Sequence, residues 1–186
     1  MADGKVWALM VGMAFGVVAT AAQTPLSQAS PNTPQTGGMG MEHAKSSAPA
    51  GPLKIRYQDK SAEWTPATLA ALPHKTLTAY NEHVKKNESY SGVALIDLLA
   101  KLGVPDKPHG KDFRLYLEAE GADGYVVIYS VAEVTPDVHD ATVIVADAID
   151  GKPITDDGPL KLVATGEKRP ARWVRNLAAI RVMPAQ

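Results

Sequence analysis

The sequence predicts an α+β domain over residues 53–186, a mixed β-sheet of about seven strands with three short helices. Three observations predict it. Apolar and polar residues alternate with period two in several short segments, as half-buried strands require. Three other segments carry helix signals, either a start residue or an apolar stripe at helical spacing. Strands and helices do not alternate regularly, which argues against a doubly wound sheet.

Each element has a local reason. "LKIRYQ" alternates and reads as the first strand. In "WTPATLAALP", Thr65 is a good N-cap, Pro66 suits the first helical position and Pro73 stops the helix. "KTLTAYNEHV" alternates with β-branched and aromatic residues, and "KKNES" is a polar loop. "YSGVALIDLLAKLGVP" is expected to be the clearest helix. Val93, Ile96 and Leu99 join Leu95, Leu98 and Leu102 in one apolar stripe, and Gly103 and Pro105 end it. "KDFRLYLEAE" and "YVVIYS" form a hairpin across the turn "GADG", with Phe113, Leu115 and Leu117 on one face. Ser130 and Glu133 make a capping-box pattern for a short helix. "ATVIVADAI" is a nearly continuous apolar run, suited to a strand covered on both faces. "DGKP" is a turn, and "GPLKLVAT" and "LAAIRVM" are the last strands.

The N-terminus reads as an address. Lys5 precedes an apolar run over 6–22 that ends in small residues, and Ala19-Thr20-Ala21 fits a signal-peptide cleavage pattern. Residues 1–22 are therefore expected to be a signal peptide, with an uncleaved anchor as the other reading. Either reading puts the domain outside the cytoplasm, periplasmic or secreted. Residues 23–52 are rich in Pro, Ser, Gln and Gly and are expected to be a disordered linker. Its "GMGMEH" offers Met39, Met41 and His43, a thin ligand set for soft copper. No later segment is long and apolar enough to span a bilayer.

Composition removes several chemistries. A net charge of -1 leaves no footprint for nucleic acid. The chain has no cysteine, so it supplies no disulfide, thiolate ligand or thiol nucleophile. No nucleotide-binding loop, zinc-protease or serine-hydrolase motif is present.

Cation is concentrated instead in "GEKRPARWVRN". Lys168, Arg169, Arg172 and Arg175 surround Pro170 and Trp173. Guanidinium groups bind phosphate or carboxylate bidentately, and Trp173 could stack on a planar ligand. In a 3₁₀ turn the three arginines would share a face, whereas in an extended segment Arg172 and Arg175 would diverge. The competing reading pairs the arginines with carboxylates such as Glu118, Asp156 or Asp157 and places Trp173 in the core. Among the histidines, His83 with Asn81 and Glu82 is a secondary metal candidate, one strong ligand where three or four are needed. His139, between Asp137 and Asp140, reads as a turn; His74 and His109 sit in connections. Asp123 and Tyr125 read as hairpin-turn residues.

The order of three motifs resembles a known family. "YSGVALIDLLAKLGV", the "ADGY" turn, and "DGKP" followed by "GPLKLV", a basic segment and "WVR" resemble the molybdopterin-binding domain of the sulfite-oxidase family. The resemblance covers about 65–183. It implies an α+β fold and a site for a phosphate-bearing pterin carrying molybdenum, contacted here by Lys168, Arg169, Arg172, Trp173 and Arg175. In that family a cysteine before the "YSGV" motif holds the metal; here the region reads "TAYNEHVKKNES". The expectation is an exported binding or accessory module for an anionic small molecule, a pterin cofactor or a periplasmic protein partner. A periplasmic molybdenum-cofactor-dependent oxidoreductase and a cofactor-free protein- or metal-binding module are the alternatives.

Overall fold

The computed structural model describes residues 50–156 and 158–186. The expected signal segment, nearly all of the linker and the Met39, Met41 and His43 group lie outside these residues. Ten strands and three short α-helices appear: β1 (Leu53–Tyr57), β2 (Lys60–Trp64), α1 (Pro66–Leu69), β3 (Lys75–Asn81), β4 (Lys86–Ala94), α2 (Leu95–Ala100), β5 (Leu115–Gly121), β6 (Val126–Ser130), α3 (Val131–Val134), β7 (Val143–Ile149), β8 (Lys152–Pro153), β9 (Lys161–Ala164) and β10 (Leu177–Pro184). They build two sheets, so the domain is α+β, with more strands than the alternation predicted.

The first sheet has the order β2-β1-β10-β5-β6. It is mixed, because β1 runs parallel to β10 while the other pairs are antiparallel. Its inner face carries the alternating residues Leu53, Ile55, Leu117, Ala119, Ile180 and Val182, all buried. The second sheet runs β3-β4-β7-β8, with β9 also on β7. β7 is its centre, and Val143, Ile144, Val145 and Ala146 are all buried, as a continuous apolar run requires. Both sheets share one apolar core with Leu95, Leu98 and Leu99 of α2.

The helix caps follow the sequence. The Thr65 side chain accepts from the Thr68 backbone at α1, and Ser130 and Glu133 form a capping box at α3. Other expectations are corrected. "YSGVA" is the end of β4, and α2 begins only at Leu95. Gly92 explains the change: a Cβ there would lie 2.1 Å from the Val145 carbonyl oxygen, beside a register shift at Ser91/Gly92. The glycine serves a close strand approach, not a helix, and "KNES", from Lys86, becomes the first half of the same strand, while Lys85 stays in the turn. "KSAEW" adds a strand that the alternation did not predict, pairing with β1 as β2. Residues Gly110–Arg114 form a 3₁₀ turn, which removes Phe113 from the strand face and leaves it 45% exposed. The "DGKP" turn contributes the two-residue strand β8. Among the described residues no helix is long and apolar enough to cross a membrane.

Candidate functional site

The basic segment, 166–176, connects β9 to β10. Gly166 opens it at φ +80°, and Asn176 closes it in the left-handed region at φ +48°. Between them only Pro170–Arg172 forms a 3₁₀ turn, and Arg169 and Trp173 on either side are extended. The three arginines therefore do not share a face. Val174 then pairs with Leu162 through two backbone hydrogen bonds of 2.8 and 3.1 Å, which seats the segment on the second sheet. On its far side it meets the β5–β6 hairpin. The Tyr125 hydroxyl donates to the Ala171 carbonyl, the Tyr129 hydroxyl donates to Arg172 O at 2.8 Å, and Ala122 N donates to Asn176 O at 2.9 Å. Asp123 shapes that hairpin by accepting from Tyr125 N at 3.0 Å, as its turn reading expected.

Arg172 is committed to carboxylates. Its Nη1 donates to Glu133 Oε1 at 2.7 Å, its Nε donates to Glu167 Oε1 at 3.0 Å, and its Nη2 also donates to Glu167. The guanidinium carbon lies 4.5 Å from the Tyr129 ring centroid. Burial disfavours charge on both Arg172 and Glu133. Hydrogen bonds outweigh it, holding Glu133 below its ordinary range and Arg172 above its own. Burial also pushes the Tyr129 phenol up despite the cation beside it. Carboxylate pairing was the competing expectation, but with Glu118, Asp156 or Asp157, the last of which lies outside the described residues. The partners are Glu133, which also caps α3, and Glu167 within the segment. Arg172 thus holds the segment to the first sheet, and this takes it out of the candidate anion site.

Trp173 is a core residue. It is buried, its Nε1 donates to Ala164 O at 2.9 Å, and its ring meets Tyr90 edge-on at 5.3 Å. Lys161, also buried, places its ammonium 5.4 Å from the Tyr90 centroid and 5.5 Å from that of Trp173. The Tyr90 hydroxyl donates to Glu88 Oε2 at 2.6 Å, and Asn81 Nδ2 donates to the same oxygen at 2.7 Å. Burial raises the Glu88 pKa, but these two hydrogen bonds, with Lys86 and Lys161 nearby, bring it below its ordinary value. This buried polar chain escaped the sequence reading. Its one signal was a lysine inside the apolar run "GPLKLVAT", together with Glu88 and Tyr90 at the i, i+2 spacing of one strand face.

The remaining cations separate into two clefts. Lys168 and Arg169 line a cleft of about 180 Å³ together with Thr78–Tyr80 of β3, residues 164–167, Pro170 and Trp173, and two carboxylates, Glu82 and Glu167, stand in the same walls. Arg175 lines a second cleft of about 420 Å³, with His83, Asn81 and Glu88 on one side and residues 153–156 on another. The structure therefore brings Lys168 and Arg169 together, and Arg175 with His83, but not all five cofactor candidates. His139 accepts from Ala141 N at 3.1 Å in a turn, and His109 is exposed beside Asp112. His74 links its Nε2 to Asp147 at 3.0 Å and its Nδ1 to Leu72 O at 2.7 Å.

A molybdenum centre can be tested against these residues. The segment where the family carries its cysteine is the tight end of the β3–β4 hairpin. There Asn81 Oδ1 accepts from His83 N at 3.0 Å, and Asn81 and Glu88 bond each other. Among the described residues no three His, Asp or Glu side chains converge on one point. These donors do not fit a protein-held molybdenum, and His83 has no co-ligand set. Glu82 and Glu167 share the smaller cleft, but Glu167 is already paired with Arg172, so Lys168 and Arg169 can still meet an anionic group there. Neither a family model nor a curated protein matches the chain.

Proposed function

We propose that this chain is an exported binding module with a sulfite-oxidase-like molybdopterin-binding fold, and that its ligand is a phosphate-bearing or similarly anionic small molecule. The observation that carries the reading is the convergence of Lys168 and Arg169 on one cleft beside the Gly166 turn. A positive φ at Gly166 lets the backbone turn sharply, and Thr165 and the segment's backbone stand at the cleft with the two cations. At about 180 Å³ the cleft suits the phosphate end of a ligand rather than a whole pterin. The order of the "YSGV", "ADGY" and "WVR" motifs supports the family likeness. Among the described residues the hairpin supplies no ligand set for molybdenum, so the reading is one of binding.

Calorimetry with inorganic phosphate and a phosphorylated pterin tests this, alongside metal analysis and pterin fluorescence of protein purified from a cofactor-competent host. Both anions should bind, and Lys168→Ala with Arg169→Ala should weaken them about tenfold or more, as loss of charge-assisted hydrogen bonds implies. Undiminished binding in the double variant, or no binding at millimolar ligand, defeats the proposal. Stoichiometric pterin and molybdenum in the native protein would instead establish the oxidoreductase alternative.

A further inference from the structure

β3 ends one side of the second sheet, and its outer edge is open. It pairs with β4, and among the described residues no backbone group bonds to Lys75–Asn81 from the other side. An open edge offers a row of N–H and C=O groups that can template another strand. The other sheet ends are guarded. At β6 the Ile128 carbonyl accepts from Arg172 Nη1 at 3.4 Å, and the Tyr129 hydroxyl donates to the carbonyl of the same arginine. β9 is met by Val174 through Leu162. β2 has five residues and carries Lys60 and Glu63, and β8 has only two. β3 runs for seven residues, and from Thr76 to Tyr80 it holds no charge, proline or bulge. Thr76, Thr78 and Tyr80 alternate along its exposed face, with Tyr80 53% exposed.

We propose that β3 accepts an extended, acidic segment of a partner protein as an added strand. Backbone hydrogen bonds supply the attachment, and the charges beside the edge select the sequence. Thr78, Ala79 and Tyr80 line the smaller cleft with Lys168 and Arg169, and neither cation is held in an ion pair among the described residues. At about 180 Å³ this cleft is below the usual size of a small-molecule site, and it suits one carboxylate side chain projecting from the added strand. Of the two carboxylates in its walls, Glu167 is engaged by Arg172, and Glu82 lies past the end of β3. Lys75 adds a cation at the start of the strand. A second copy of the chain is the poorer occupant, because β3 has no Asp or Glu to offer these cations. The proposal rests on the reading of Lys168 and Arg169 as an anion surface, but it adds the β3 backbone, which a phosphate does not need.

Titration of the full chain with a capped peptide of alternating glutamate and valine, matched in length to β3, tests the proposal. Its lysine counterpart controls for charge. Alternate amides of a strand face opposite edges, so two further versions are N-methylated, one at the glutamates and one at the valines. Binding is followed by calorimetry and by amide hydrogen exchange. The acidic peptide should bind and slow exchange at alternate amides within Thr76–Tyr80. The lysine peptide and one of the two methylated peptides should bind about tenfold more weakly or worse. Lys168→Ala with Arg169→Ala should weaken the acidic peptide by a similar factor. No binding at millimolar peptide, full binding of both methylated versions, or exchange slowed only at residues 165–169 would overturn the proposal. Phosphate binding in the same protein would then leave the proposed function standing. Peptide binding without phosphate binding would support the added strand and defeat the small-molecule reading. A dimer of the chain alone with its β3 amides already protected would overturn the proposal and make the occupant a second copy.

Discussion

Two cations three residues apart, Arg169 and Arg172, sit in opposite circumstances. Arg172 donates to two carboxylates and lies against a tyrosine ring, while Arg169 lines a cleft beside Lys168. The difference comes from the backbone. The 3₁₀ turn at Pro170–Arg172 aims Arg172 toward the first sheet, and the extended residue before it leaves Arg169 facing β3. A run of like charges is therefore not one site. The same eleven residues contain a structural clamp, a core aromatic and a candidate anion surface, and each should respond differently to mutation.

The clamp half should carry the stability. Trp173→Ala removes a buried ring, its Nε1 hydrogen bond and its contact with Tyr90, and should cost about 3–5 kcal/mol. Urea unfolding would show this as a lower midpoint at unchanged slope. A loss under about 1 kcal/mol would mean the segment is not seated on the second sheet as described. Arg172→Ala comes next. It leaves Glu133 and Glu167 without their cation, but all three side chains keep partial solvent contact, so the cost is about 1–2 kcal/mol, below that of a fully buried pair. Arg172→Lys should recover less than half of that, because one ammonium cannot reproduce the guanidinium fork between two carboxylates. Full recovery by lysine would reduce the clamp to a simple charge.

How much of this was legible depended on whether the signal was local. Thr65, Ser130 and Glu133 announced their caps because the capping bond spans only three residues. The buried run at 143–146 announced a central strand by composition alone. The helix expected at Tyr90 failed because Gly92 answers to the Val145 carbonyl, more than fifty residues away, and no window around Gly92 contains that contact. The candidate site failed in the same way. The cation cluster was visible, but its division depended on Glu133 and Tyr129, which reach Arg172 from the β5–β6 side. Lys161, Tyr90 and Glu88 come from two strands and look ordinary on each.

His74 provides a third kind of cation, committed only while protonated. Both of its ring nitrogens face acceptors, Asp147 Oδ2 and Leu72 O, so the doubly protonated ring fits best. The Asp147 hydrogen bond is the main cause of a pKa raised above 6.5, with the Leu72 carbonyl next. A raised folded-state pKa gives stability that is complete below the unfolded value and lost as pH rises through the folded value. Stability should therefore fall slightly on going from pH 6 toward 8, by roughly 0.2–1 kcal/mol for a pair so near the surface. His74→Gln should flatten that part of the profile in denaturant midpoints measured across pH. An unchanged slope in the variant would assign the pH dependence to other groups.

The smallest effect is the sharpest test of the comparison. If Lys168 and Arg169 face a cleft and hold no fold contact, then Lys168→Ala with Arg169→Ala should change stability by less than about 0.5 kcal/mol, as surface substitutions do. The result matters because the same variant is asked to weaken phosphate about tenfold. A loss of both folding and binding would make the cations a second clamp, and the segment would then have one role. A loss of binding alone separates the halves. It would mean that the chain fixes Arg172 and Trp173 so that the two residues before Pro170 are held open, at a position the fold determines and the fold does not need.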